Sequence, residues 1–144
     1  MNEIMKQTIK AEWKGNLVFE TELNGHKLTM DAPSESGGQD LGPRPKILML
    51  AALAGCTGMD VVSILGKMRV DIEKCDVSIE ADMTEEHPKY YRKMHVIYEF
   101  TGKNLPMDKL EKAVKMSEET YCGVGAAYRK AMEITSEIKV KKND

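Results

Sequence analysis

Residues 46–68, KILMLAALAGCTGMDVVSILGKM, decide how this chain is read. From Ile47 to Leu65 the only charge is Asp60. Pro45 stands just before the run. Proline suits the first turn of a helix, where its fixed φ is already helical and its missing N–H is not needed. A run this long and apolar meets the length rule for a membrane span. The flanking sequence argues against one, because it is charged and amphipathic. The preferred reading is a helix buried on all sides in a soluble protein. A chain of 144 residues is small to surround such a helix. The segment therefore predicts a homodimer that shares its core.

On the N-terminal side, Leu17, Phe19, Thr21 and Leu23 alternate with Val18, Glu20 and Glu22. Asn24-Gly25 follows, the strongest short hairpin signal. His26, Leu28 and Met30 then alternate with Lys27, Thr29 and Asp31. With an earlier strand near residues 9–13, this third predicts a small antiparallel sheet. Residues 33–45, PSESGGQDLGPRP, predict a loop long enough to suggest function.

On the C-terminal side, Cys75, Val77, Ile79, Ala81 and Met83 share one face of a strand. Met94, Val96, Tyr98 and Phe100 share one face of the next. After Pro106, Leu110, Ala113, Val114, Ser117 and Tyr121 fall at helical spacing. Gly123 and Gly125 interrupt that helix, a shorter helix follows, and Ile134, Ile138 and Val140 mark a last strand. The order β-β-β-α-β-β-α-α-β predicts an α+β fold in a single domain spanning 1–144.

Composition excludes several classes. Twenty-one Lys+Arg against 23 Asp+Glu leave a charge of −2, without the basic footprint of a nucleic-acid binder. Three cysteines are too few for a disulfide scaffold. The start, MNEIMKQTIKAEW, lacks the pattern of a secretory signal, so a reducing, cytoplasmic location is expected. His26, His87 and His95 show no metal-ligand spacing with one another or with the cysteines, so no metal site is assigned. His95, opposite Met94 and Val96, is expected to face solvent.

The cysteines separate by context. Cys75 shares an apolar strand face and reads as core. Cys56, Asp60 and Ser63 fall on one face of the long helix, a polar stripe that needs a partner, a cavity or an interface. Close helix packing is the other reading of Cys56. Cys122, beside Gly123 near a helix start, is either an accessible reactive thiol or a spacer in a turn.

Residues 42–68, together with YCGVGAAYRKA at 121–131, resemble the OsmC/Ohr proteins, the osmotically inducible protein C and organic hydroperoxide resistance families. NGHKLTMDAP at 24–33, Gly37-Gly38 and the element order extend the likeness. The resemblance implies an intertwined homodimer, with the cysteine-bearing helices central and antiparallel sheets outside. It also implies a thiol-dependent peroxidase for organic hydroperoxides that needs no cofactor, metal or flavin. By position, Cys56 matches the peroxidatic cysteine and Cys122 the resolving one, and an external dithiol would reduce their disulfide.

The chain departs from the family pattern in its charges. Active members carry a glutamate near the start of the cysteine-bearing helix and an arginine in an N-terminal segment. Lys46 and Ile47 stand at the glutamate positions, and no arginine precedes Arg44. Arg44 or Lys46 is thus expected to supply a cation to the site, while Asp60 would oppose thiolate formation if close. The alternative reading is a weakly catalytic or non-catalytic protein holding a small apolar ligand on the same scaffold. A third is a structural dimer whose cysteines only pack.

Overall fold

The computed structural model describes residues 4–142 and is an α+β fold with two sheets. The N-terminal tripeptide of the signal-peptide reading lies outside the described residues. The chain forms two compact units, 1–49 and 50–144.

The first unit is an antiparallel sheet of β1 (Ala11–Trp13), β2 (Phe19–Leu23) and β3 (His26–Met30), in that order. The Asn24-Gly25 turn pairs Leu23 with His26. Both turn residues take positive φ, as the commonest two-residue hairpin turn requires. Trp13, Leu17 and Phe19 remain largely exposed. The loop after β3 carries a 3-10 turn at Ser34–Ser36. It is organised by Asp31, which is 2% exposed. The Asp31 carboxylate accepts hydrogen bonds from the backbone N–H groups of Ala32 (2.7 Å), Gln39 (3.0 Å) and Leu41 (3.1 Å). Burial alone would raise the pKa of Asp31, but the three donors outweigh it and hold the carboxyl below its usual range. A side chain at Gly42 would place its Cβ 2.0 Å from the Thr29 carbonyl oxygen, so only glycine fits this crossing.

The second unit holds most of α1 (Leu48–Lys67), then β4 (Lys74–Met83), β5 (Tyr91–Gly102), α2 (Met107–Met116), α3 (Gly123–Arg129) and β6 (Glu133–Lys142). β4 pairs antiparallel with β5, whereas β6 pairs parallel with it. A parallel pairing needs a crossover, and the helices of residues 107–129 provide it. Met94, Val96, Tyr98 and Phe100 of β5 are buried with Leu53, Val61 and Leu65 of α1 and with Leu110 and Ala113 of α2. Burying each large apolar side chain stabilises the fold by about 1.5–3 kcal/mol.

One expectation is met and one changes here. As expected for so small a chain, the long helix is not buried on all sides within it. Leu53, Thr57, Val61, Ile64 and Leu65 are buried, while Ala51, Ala52, Met59 and Val62 are exposed. Met59 is 76% exposed. α1 remains long and apolar enough to cross a membrane by length and composition, yet one face of it belongs to the core. Tyr121 does not continue the buried face of α2. A π turn at Ser117–Tyr121 inserts an extra residue into the helical phase, leaving Tyr121 57% exposed and Cys122 3% exposed.

Candidate functional site

Cys56 and Asp60 lie four residues apart on α1, and so on one helical face. Cys122 reaches them from the other side of the sequence, because the π turn rotates it inward. Its backbone N–H donates to the Ser117 carbonyl at 2.8 Å, closing that wide turn. The Sγ atoms of Cys56 and Cys122 and a carboxylate oxygen of Asp60 lie within 4.8 Å of one another. Cys56 and Asp60 are half-buried and Cys122 is buried. All three cysteines are free thiols. The sequence spacing had given no metal-ligand set, yet the fold gathers three potential ligand atoms here.

The cluster is held from both helical segments. Ser117 Oγ donates to Asp60 Oδ2 at 3.0 Å. The backbone N–H of Gly125 donates to Cys122 Sγ at 3.2 Å. A Cβ at Gly125 would sit 3.4 Å from that sulfur, so glycine keeps the approach open. Burial pushes the Cys122 thiol up to about 11. Gly125 N–H opposes this, while the hydrogen bond with Cys56, the Cys56 charge and the Asp60 charge add to it. Cys122 therefore keeps its proton at neutral pH.

Beside the cluster, Asp60, Ser63, Ile64, Lys67, Met68, Met116 and Tyr121 line a mainly apolar cavity of about 320 Å³. The polar stripe expected from Asp60 and Ser63 thus faces a cavity. Beneath the site, Tyr98 is fully buried, and its hydroxyl has no hydrogen-bond partner among the described residues. Burial, then the Glu118 charge, raise its pKa, and Thr57 offsets this only in part. The Thr57 hydroxyl instead donates to the Leu53 carbonyl at 2.9 Å.

The other candidates sit as follows. Arg44 lies in the loop of the first unit, ion-paired with Asp40 and donating to the Gly42 carbonyl at 3.0 Å. Lys46 is exposed in the turn that starts α1, where Met49 N–H donates to its carbonyl at 3.1 Å. Cys75 is half-buried on β4, and burial raises its thiol, followed by Asp76. His95 is not simply solvent-facing. It is half-buried, with Nδ1 2.7 Å from Thr135 Oγ1 and Nε2 2.9 Å from Glu137 Oε1.

Two contributors were not singled out from sequence. Ser117 carried a signal, since a serine on an apolar helical face needs a polar partner. Arg129 carried none. It donates to the Glu118 carbonyl at 3.0 Å, and its guanidinium lies 3.2 Å from where a Cβ of Gly125 would be. A cation therefore flanks the same glycine as the Cys122 thiol.

An α+β chain with two free thiols converging from separate helical segments is a paired-thiol protein. The chain belongs to the OsmC-like protein family, whose model matches residues 37–137. It is 34% identical over 132 residues to protein YhfA of Escherichia coli K12, covering 91% of this chain and 96% of that one. A crystal structure of a hypothetical protein from Aquifex aeolicus VF5 has a TM-score of 0.85 at 26% identity, covering 98% and 100% of the two chains. An organic hydroperoxide resistance protein OsmC from Legionella pneumophila shares the fold, with a TM-score of 0.67 at 19% identity, over 96% and 100% of the chains.

Proposed function

We propose that this protein reduces organic hydroperoxides with Cys56 as the attacking thiol and Cys122 as the resolving one. The observation that carries the reading is the approach of the two sulfurs to within 4.8 Å. A disulfide is about 2.05 Å long, so they need to close by less than about 3 Å. The Cys56 thiolate attacks the hydroperoxide O–O bond, giving a sulfenic acid and, with one proton, an alcohol. The Cys122 sulfur then displaces the sulfenic oxygen, and water leaves as the disulfide forms. An external dithiol returns both thiols. The high pKa of Cys122 fits the resolving role, since a protonated thiol does not compete for the first attack. The apolar cavity beside Asp60 fits an alkyl or aryl substrate better than hydrogen peroxide.

The same reading takes the protein as a homodimer in the cytoplasm, without membrane or nucleic acid as partner. Met59 and Val62 on the exposed face of α1 support a second copy as the cover, because large apolar patches on soluble chains mark interfaces. In that dimer, Arg44 or Lys46 is the proposed source of a cation for Cys56, standing in for the glutamate and arginine of active relatives. The test is hydroperoxide consumption with a dithiol reductant, by wild type and by Cys56→Ser. Turnover by wild type and none by the variant is expected. Equal, slow consumption by both overturns the assignment.

A second reading is favoured by Lys46 and Ile47, which leave no carboxylate at the family's positions. On it, the cavity holds a small apolar ligand without turnover. Native mass spectrometry of the purified protein separates the two. A retained ligand and no peroxide consumption would favour binding.

A further inference from the structure

We propose that Cys56 and Cys122 as free thiols, together with the Asp60 carboxylate, constitute a binding site for a borderline-soft divalent cation of the zinc type. Two thiols and one carboxylate are a donor set that zinc accepts. Ideal tetrahedral zinc separates such ligand atoms by about 3.5–3.8 Å. The three atoms here already lie within 4.8 Å of one another, so small side-chain rotations complete the geometry. Asp60 Oδ2 is oriented by Ser117, and Gly125 N–H stabilises a Cys122 thiolate. Metal sites depend on such outer hydrogen bonds to fix their ligands. Three protein ligands leave a fourth position for water, the arrangement of an exchangeable rather than a closed structural site.

Binding is proton exchange without redox change. Both sulfurs bind as thiolates, so Cys122 releases its proton and Cys56 releases one to the extent that it is protonated, giving one to two protons per metal bound. The cation then occupies both sulfurs that disulfide formation needs. A consequence for regulation rests on the hydroperoxide reading. Oxidation of the two bound thiolates by one organic hydroperoxide, with two protons, yields the disulfide, an alcohol, water and free cation. Two electrons pass from sulfur to the O–O bond. The bound metal would therefore hold the thiols reduced until peroxide expels it.

The test uses full-length protein, reduced and stripped of metal, titrated with Zn²⁺ in competition with a chromogenic chelator. One zinc per chain is expected, with release of one to two protons. Affinity should fall at least tenfold in Cys56→Ser and Cys122→Ser, and fall also in Asp60→Asn. Protein oxidised to the disulfide should not bind. Cobalt should give a thiolate charge-transfer band that Cys56→Ser weakens. If Cys122→Ser fails to fold by circular dichroism, Cys56→Ala and the oxidised wild type carry the comparison. No stoichiometric zinc binding by the reduced wild type, or undiminished binding in the Cys56 variants, overturns the site. Hydroperoxide consumption is measured separately on the metal-free protein. Zinc binding without consumption leaves this site standing and removes the peroxidase reading, and consumption without zinc binding does the reverse.

Discussion

Ser117 Oγ donates a 3.0 Å hydrogen bond to Asp60 Oδ2 across 57 residues of sequence. This bond ties the π turn after α2 to α1, and so places Cys122 against Cys56. Ser117→Ala removes this donor from a half-buried carboxylate. Leaving such a group without its partner costs about 1–3 kcal/mol. Urea denaturation should show a loss in that range. No change would mean that the tie contributes nothing to the folded state.

Tyr98 presents the opposite case. Its hydroxyl is buried with no hydrogen-bond partner among the described residues, while its ring packs in the core. Tyr98→Phe keeps the ring and deletes the unsatisfied group. Stability should be unchanged or raised by up to about 1 kcal/mol. A loss of more than about 1 kcal/mol would show that the hydroxyl is bonded in solution.

Asp31 makes stability depend on pH. Its carboxyl is held below the usual range by three backbone donors that outweigh burial. A folded-state pKa below the unfolded one gives stability that is present above the unfolded value. That stability is lost as pH falls through the folded value, here below about pH 4. Asp31→Asn should lower the urea midpoint at neutral pH and flatten this acid limb. A variant with the wild-type acid limb would show that Asp31 is not the titrating group.

The exposed face of α1 predicts the oligomeric state. Wild type should sediment at twice the chain mass. Met59→Glu and Val62→Glu, introduced together, should give the mass of one chain, since two charges would replace side chains that are 76% and 47% exposed in the single chain. A monomeric wild type would contradict the shared core.

How much of this was legible in the sequence depends on the range of the cause. Period-2 alternation marked β4 and β5, and Asn24-Gly25 marked the hairpin, because both signals are local. The start of α1 at Leu48 rather than Lys46 follows from the turn at residues 45–47, where Leu48 N–H reaches only back to the Pro45 carbonyl. The π turn is invisible to a 3.6-residue period, which puts Tyr121 on the buried face and gives no sign that Cys122 turns inward. The Asp31 clamp joins residues up to ten apart through backbone groups, which carry no side-chain pattern. Cys56 and Asp60 could be matched as one helical face. Their meeting with Cys122, Ser117 and Gly125 required the crossover between β5 and β6 to be folded.

Cys56 and Cys122 acting as a redox pair would leave a specific chemical record. The direct measurement is peptide mass spectrometry of the reduced protein after one equivalent of cumene hydroperoxide, with free thiols alkylated. A peptide containing Cys56 should be linked to one containing Cys122, with a loss of two hydrogens and with Cys75 fully alkylated. Cys56 and Cys122 both still alkylated, or a disulfide that includes Cys75, would contradict it.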